Sequence, residues 1–252
     1  FEKNNQPLVV VNGTFFSFAT NQSLNIVEKN GKLIGYNVHS IAGKGKDTLT
    51  WYHTFDGAFG ITKNRTADVA WIYTDSSKKY PFASETVLPF VHDSNKTPSF
   101  DYIKMITARY LDDSGRIIFP FDLSSSLGTW KMKTAIGGGP VLVQNNKVQI
   151  SNEEERKFAG KAINDRHPRT AIGYTKDNKV IILVAEGRSE TASGLTLTQE
   201  AKILAELGCE EALNLDGGGS TCMLLNGKQT NSPSDKEGER PVPSVFIIEK
   251  NN

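Results

Sequence analysis

A single acidic residue, Asp216, stands between an apolar segment and three consecutive glycines. Burial raises the pKa of a carboxyl group, and a second carboxylate nearby would separate the two pKa values further. One acid and one ionised carboxylate are what glycoside cleavage uses. Glu186, which follows the apolar segment 180–185, is the partner that we expect. The alternative is that Asp216 caps its own glycine turn and that Glu186 pairs with Arg188.

The residues after Asp216 could bind an anion, because successive backbone N–H groups in a glycine loop form a concave donor surface. These residues are Gly217, Gly218, Gly219, Ser220 and Thr221. No lysine precedes Ser220, and no glycine closes a nucleophile elbow after it, so neither of those motifs applies. The alternative is a tight turn between strands. A second triplet at 137–139 suggests a site built from both loops, with Gly138 and Gly139 at the ligand.

A basic segment, Arg166-His167-Pro168-Arg169-Thr170, could hold a phosphate or carboxylate. The planar guanidinium of Arg169 fits either anion, with Thr170 beside it, and His167 could donate a proton. Pro168 favours an extended conformation at His167. The alternative is a pair of surface arginines and a hydrogen-bonded histidine.

Three apolar segments, 8–11, 180–185 and 212–215, share one layout, because each ends in polar residues and glycine. Open sheets bind ligands at the carboxyl ends of their strands. If these strands are parallel neighbours, four polar residues meet at one sheet edge; antiparallel neighbours would scatter them. The four are Asn12, Glu186, Arg188 and Asp216.

Strand patterns dominate the rest of the chain. Segments 141–150 and 171–185 are typical of hairpins, and 67–73 and 245–248 of single strands. The clearest helix is 197–207, where Thr196 and Gln199 form a capping box and Gly208 ends the helix. The fold class predicted is α+β, a mixed, strand-rich sheet with few helices packed on it.

Three further segments are less defined. Residues 152–162 could form a second helix, with Glu153-Glu154-Glu155-Arg156-Lys157 as its solvated face. Residues 102–109 fit a strand or a helix. The polar loop 231–240 is long enough to line a site or to be mobile.

The bulk composition excludes several classes of protein. The chain has 252 residues, 38% of them hydrophobic, and a net charge of +1. It has no strong basic excess for nucleic acid and no apolar run of about 20 residues for a membrane span. Cys209 and Cys222 suggest no disulfide framework, although a single bond between them stays open, and no Cys/His spacing indicates zinc. We expect no cofactor and no metal, although Asn214 and Asp216 offer oxygens to a cation.

These segments together resemble the phosphodiester glycosidase family, with agreement from about residue 8 to the C-terminus. The matching blocks are Val11-Asn12-Gly13-Thr14-Phe15-Phe16, Ala135 to Leu142 around the first glycine triplet, Arg166 to Gly173, Glu186-Gly187-Arg188, Gly194-Leu195-Thr196-Leu197 and Ala212 to Thr221. Family members often carry Asp in place of Glu186 and Gly in place of Thr14. Either departure would alter the fit of a substrate.

The resemblance implies an enzyme that releases a sugar joined through its anomeric carbon to a phosphodiester, leaving a phosphomonoester. Arg169 and the glycine loop would hold the phosphate while Asp216 acts at the anomeric carbon. A non-catalytic module that binds a glycan or sugar phosphate, or a phosphodiesterase that cuts the P–O bond, are the alternatives. The oligomeric state is left open.

The resemblance also implies one domain over residues 1–252, with an N-terminal portion missing, in an exported protein. Phe1-Glu2-Lys3 shows no signal-peptide pattern, and the mature form of an exported protein would begin in the same way.

Overall fold

The computed structural model describes residues 7–101, 103 and 127–250. The strands in these residues are β1 (Val9–Asn12), β2 (Val27–Lys29), β3 (Lys32–Gly35), β4 (Ser40–Ala42), β5 (Trp51–His53), β6 (Asp56–Ile61), β7 (Ala67–Tyr73), β8 (Phe82–Ser84), β9 (Val91–Asp93), β10 (Leu127–Thr129), β11 (Thr134–Gly137), β12 (Val141–Gln144), β13 (Lys147–Val148), β14 (Arg169–Thr175), β15 (Val180–Ala185), β16 (Cys209–Asn214), β17 (Met223–Leu225), β18 (Lys228–Gln229) and β19 (Val245–Ile248). The helices bounded there are α1 (Asn152–Glu155) and α2 (Leu197–Glu206).

The strands form four sheets. Their orders are β18-β17-β1-β19, β10-β8-β7-β6-β11-β2-β3, β13-β12-β16-β14-β15 and β4-β5-β9. The strand-rich α+β class is thus confirmed. No helix in the described part of the chain is long and apolar enough to cross a membrane.

The main core lies where the seven-, five- and four-stranded sheets face one another. Trp71 and Phe59 of the first pack in one cluster with Leu213 of the second and Val11 of the third. These side chains are 0% exposed, so each contributes about 1.5–3 kcal/mol through burial of apolar surface. This packing fixes the ends of β1 and β16 against each other, where Asn12 and Asp216 lie.

Helix α2 covers the outer face of the five-stranded sheet. Its apolar residues Leu197, Ala201 and Leu204 pack in one cluster with Leu142 and Ala212. Both bonds of the predicted capping box are present, with the Thr196 hydroxyl accepting from the N–H of Gln199 at 3.2 Å. The helix is therefore confirmed.

The predicted hairpins β12–β13 and β14–β15 and the strands β7 and β19 are confirmed. The predicted helix over 152–162 is wrong in length, because α1 ends at Glu155 and Arg156 turns left-handed with φ of 49°. Segment 102–109 lies outside the described residues, apart from Ile103. Cys209 and Cys222 are free thiols rather than a disulfide.

Candidate active site

The predicted site residues gather at one edge of the five-stranded sheet. Strands β15 and β16 both pair antiparallel with β14, so β15 and β16 run in the same direction on either side of it. Glu186 follows β15, Asp216 follows β16 and Arg169 begins β14, which places all three at the same edge. The assumption of parallel neighbours was wrong, and β1 belongs to another sheet. The residues meet because an antiparallel strand separates the two strands that carry the acids.

Asn12 joins this edge to the four-stranded sheet. Its side-chain N–H group donates to the backbone oxygen of Asp216 at 2.6 Å. Its side-chain oxygen accepts from the Thr170 hydroxyl at 2.8 Å and from the N–H of Cys222 at 3.1 Å. All these bonds lie in the interior, where losing one partner is costly. Asn12 and Thr170 thus hold the backbone on both sides of the glycine run, rather than pointing free donors at a ligand.

The glycine run does not form the predicted nest of free donors. The N–H of Gly217 donates to the Asp216 carboxylate at 3.0 Å, and that of Gly218 donates to the oxygen of Pro168 at 2.9 Å. Ser220 and Thr221 donate to oxygens of the run itself, in a short 3-10 turn. Because these four groups already have acceptors, the loop shapes the backbone around Asp216 and is not an open phosphate cradle in this structure.

The first glycine triplet meets the second through Asn214. The N–H of Gly139 donates to the Asn214 oxygen at 2.8 Å, and the Asn214 side chain donates back to the Gly139 oxygen at 2.7 Å. A Cβ on Gly138 would overlap the backbone oxygen of Asn214. The two loops therefore build one backbone framework, in which Gly138 permits close approach to the end of β16, while Gly139 leaves room for the side chains of Glu155 and Lys157.

A pocket of about 360 Å³ opens beside Asp216. Its wall combines both charge signs with aromatic rings. The charged lining residues are Asp56, Arg156, Lys157, Asp216 and Arg240, and the aromatic ones are Phe15, Phe16 and Phe18. Such a wall can hold an anionic group through its cations and the apolar face of a sugar through its rings.

Asp216 is partly buried, and burial and its neighbours have opposite effects on the pKa of its carboxyl group. Burial raises the pKa of its carboxyl group, while the Ser220 hydroxyl, the Gly217 N–H and the charge of Arg240 lower that pKa. Arg240 also donates to the Ser220 hydroxyl at 3.3 Å and forms an ion pair with Asp235 at 2.7 Å. Arg240 belongs to the loop 231–240, so this loop contributes to the pocket. The net effect is a raised pKa, which makes this carboxylate more basic than that of an exposed aspartate.

Asp56, the second carboxylate that lines the pocket, already forms one ion pair and two hydrogen bonds. Lys157 forms an ion pair with it at 3.0 Å, and the side chains of Asn25 and Thr54 donate to it at 2.9 and 3.0 Å. The Thr14 hydroxyl donates to the side-chain oxygen of Asn25 at 3.0 Å. Family members often have glycine in place of Thr14. Here Thr14 belongs to a buried hydrogen-bond network that positions Lys157.

Glu186 does not line the pocket around Asp216. Its carboxylate accepts the backbone N–H of Ser232 at 2.7 Å and so anchors the loop 231–240. The second catalytic carboxylate predicted at this position is therefore not brought to the first by the pocket. Its placement supports a role in positioning the loop.

His167 and Arg188 form a separate cluster at the same sheet edge. The guanidinium of Arg188 donates to Nδ1 of His167 at 3.2 Å and lies close to Gly218. Burial lowers the pKa of His167, and Arg169 and Arg188 lower it further, so this ring is neutral near pH 7. Neither side chain lines the pocket around Asp216.

Arg169 is only 3% exposed, which sets it apart from the surface arginine of the alternative interpretation. Its guanidinium donates to the backbone oxygens of Leu195 at 3.0 Å and Asp165 at 3.4 Å. Burial lowers the pKa of its guanidinium, and the nearby Glu200 opposes this shift when it is charged. Arg169 does not line the pocket. Its hydrogen bond to Leu195 ties the segment before α2 to β14.

Sequence reasoning missed the pocket residues Asp56, Arg156, Lys157 and Arg240. Arg156 and Lys157 follow three glutamates, a pattern typical of a solvated helix face, and Asp56 opens an ordinary strand. Signals were present in Phe15 and Phe16, which belong to one of the family blocks, and in the loop 231–240, which carries Arg240 and was predicted to line a site or to be mobile. Tertiary packing alone brings the others to Asp216.

Comparison with known proteins identifies the family of the chain. The family model described as phosphodiester glycosidase matches residues 103–249. Because this match covers more than half of the chain, the chain belongs to the phosphodiester glycosidase family.

Individual relatives are similar over shorter stretches. An uncharacterized protein from the SPbeta prophage of Bacillus subtilis, YomE, is 40% identical over 86 residues, which are 34% of this chain and 13% of that protein. The mouse N-acetylglucosamine-1-phosphodiester alpha-N-acetylglucosaminidase is 32% identical over 98 residues, 39% of this chain and 19% of the enzyme. The matched stretches thus span less than a fifth of these curated relatives.

Solved structures share the fold. The catalytic domain of the zebrafish N-acetylglucosamine-1-phosphodiester alpha-N-acetylglucosaminidase, auto-inhibited by its pro-peptide, matches with a TM-score of 0.59 and 23% identity. The match covers 99% of this chain and 65% of that one. A hypothetical protein from Synechocystis matches with a TM-score of 0.58, 16% identity and coverage of 96% and 52%. At these identities the likeness concerns the fold alone.

Proposed function

We propose that this protein hydrolyses the bond between the anomeric carbon of a sugar and a phosphodiester, releasing the sugar and a phosphomonoester. The single observation that carries the proposal is the pocket beside Asp216, where one basic carboxylate faces cationic side chains and aromatic rings. Membership of the phosphodiester glycosidase family supports the reaction class. The names of the mouse and zebrafish relatives suggest N-acetylglucosamine as the first sugar to test.

In the proposed reaction Asp216 acts at the anomeric carbon, as a nucleophile or as the base that activates water. Its raised pKa makes the carboxylate a better nucleophile and base, while the Ser220 hydroxyl and Arg240 favour its charged form. The departing phosphate is already an anion, so it leaves without a strong general acid once cations offset its charge. A second carboxylate is therefore not required as the general acid, and none is required as the base when Asp216 itself takes the proton of the attacking water, which agrees with the placement of Glu186 outside the pocket.

The pocket cations and rings have separate tasks in this proposal. Lys157 and Arg240 raise the local positive potential although each is paired with a carboxylate. Phe15 and Phe16 offer apolar surface to the sugar ring. The sugar phosphodiester is the substrate partner proposed, and the exported location implied by the family stays a prediction.

The test is Asp216→Asn assayed on the methyl phosphodiester of N-acetyl-α-glucosamine 1-phosphate. Because Asn keeps the oxygen that accepts the Gly217 N–H, the fold should hold while kcat falls by about 10³-fold or more. Glu186→Gln is the matched control, since it retains the acceptor for Ser232, and it should lose less than about 10-fold. Retained activity in Asp216→Asn would refute the assigned role. Wild-type protein that binds the diester but never releases sugar would show a binding module instead.

A further inference from the structure

Among the described residues, Arg156 is the cation of the pocket lining that forms no ion pair. Lys157 is paired with Asp56 and Arg240 with Asp235. Within the described residues, no carboxylate forms an ion pair with Arg156. The pocket therefore keeps one unpaired guanidinium, and Asp216 faces it from the same lining.

The backbone of Arg156 adopts a conformation that L-residues rarely take. It ends α1 with φ of 49° and ψ of 38°, the left-handed region that glycine or asparagine usually fills at this position. An arginine there is strained. Strain of this kind persists where the surroundings impose it, and it clusters at functional sites.

Hydrogen bonds on both sides of Arg156 hold its backbone in the left-handed conformation. Before Arg156, the buried carboxylate of Glu155 accepts the N–H groups of Gly57 and Val141 at 2.9 and 2.8 Å. After it, the side chain of Asn152 accepts the Phe158 N–H at 2.9 Å and donates to the Phe158 oxygen at 3.0 Å. With both flanks fixed, the turn at Arg156 has little freedom to relax, and it presents Arg156 and Lys157 to the pocket.

Aromatic rings hold the Arg156 side chain without using its hydrogen-bond donors. The guanidinium carbon lies 3.7 Å from the ring centroid of Tyr52 and 4.9 Å from that of Phe90. A cation over a ring is attracted by the ring's negative face, while its N–H groups stay available to oxygen acceptors. Such a group is prepared to bind a phosphate by two parallel hydrogen bonds.

We infer that Arg156 binds the phosphate of the substrate and selects phosphodiesters over neutral glycosides. This inference rests on the proposed function for the position of the sugar at Asp216. A phosphodiester carries one negative charge, and Arg156 can bind it because Lys157 and Arg240 are already engaged in ion pairs. The role replaces the one expected of Arg169, which does not line the pocket and two of whose nitrogens donate to backbone oxygens.

The test measures binding rather than turnover, so that it does not depend on catalysis. The probe is the methyl phosphodiester of N-acetyl-α-glucosamine 1-phosphate, titrated calorimetrically into the Asp216→Asn protein with and without Arg156→Gln. Arg156→Gln should weaken binding by at least about 10-fold, and Arg156→Lys by less, because an ammonium keeps the charge but loses the planar fork. Methyl N-acetyl-α-glucosaminide, the neutral probe, should bind equally to all variants.

Two further variants separate a ligand role from a structural one. Arg156→Gly relieves the left-handed strain, so it should melt at or above the wild-type temperature while still losing phosphodiester binding. Arg65→Gln, at another left-handed arginine with φ of 66° outside the pocket, should change binding less than about 2-fold. Unchanged diester binding in Arg156→Gln, or an equal loss for the neutral probe, would overturn the inference. A protein that binds the diester through Arg156 but releases no sugar would refute the proposed function alone.

Discussion

Glu200 gives the most quantitative prediction, because it is a buried carboxyl group without hydrogen bonds. It lies in the first turn of α2, is 0% exposed, and neither of its carboxylate oxygens has a hydrogen-bond partner. Burial raises its pKa from 4.5 to about 8, against the opposing charge of Arg169. The folded protein therefore keeps this carboxyl protonated at a pH where the unfolded chain has released the proton.

The sign of the effect follows from this difference. As pH rises above 4.5, the unfolded state loses the Glu200 proton first, so the free energy of unfolding falls until the folded state also titrates near pH 8. Each pH unit in that window costs about 1.4 kcal/mol, so the interval from pH 5 to pH 8 costs up to about 4 kcal/mol. Glu200→Gln removes this contribution, although its amide adds an unsatisfied donor that shifts stability by a constant amount.

The assay is urea unfolding followed by circular dichroism at pH 5, 6, 7 and 8. The difference in unfolding free energy, Glu200→Gln minus wild type, should rise by several kcal/mol from pH 5 to pH 8. Other buried carboxyls, such as Glu28, titrate in both proteins and cancel in the difference. Glu206→Gln, at an exposed position of the same helix, should give a flat difference. A flat difference for Glu200→Gln as well would refute the reasoning.

The remaining predictions concern the framework around Asp216. Asn12→Ala should lower the free energy of unfolding by about 2–4 kcal/mol in urea titrations, because it leaves the Cys222 N–H and the Asp216 oxygen without partners; a loss below about 0.5 kcal/mol would contradict this role. Gly139→Ala should cost more than about 2 kcal/mol and reduce turnover, because its Cβ would overlap Glu155 and Lys157 at φ of 127°. Gly160→Ala, at φ of 60° in open space, should cost only about 1 kcal/mol, and equal melting temperatures for the two variants would count against the packing argument.

Local signals in the sequence predicted local structure well. Thr196 and Gln199 determine the start of α2 through bonds three residues apart, and short turns connect β12 to β13 and β14 to β15. The helix after Ser151 was predicted too long, because its end depends on a distant contact. The Glu155 carboxylate accepts the N–H of Gly57, 98 residues away in sequence, and no local pattern carries that information.

The candidate site was predictable in its centre but not in its wall. Asp216, Asn12 and the two glycine triplets do come together, through bonds such as that from Asn12 to the Asp216 backbone oxygen. The N–H donors of the glycine run were expected to be free, but the backbone oxygen of Pro168 accepts the Gly218 N–H. Lys157 belongs to a charged run typical of a solvated face, and Arg240 to a loop predicted either to line a site or to be mobile, so the fold was needed to identify both.

The central claim is that the protein breaks the bond between the anomeric carbon and oxygen, with Asp216 acting at that carbon. The most direct measurement is hydrolysis of the methyl phosphodiester of N-acetyl-α-glucosamine 1-phosphate in ¹⁸O-labelled water, quenched early and analysed by mass spectrometry. Attack at carbon predicts ¹⁸O in the released sugar and none in methyl phosphate. Label in the phosphate product would show P–O cleavage and contradict the account.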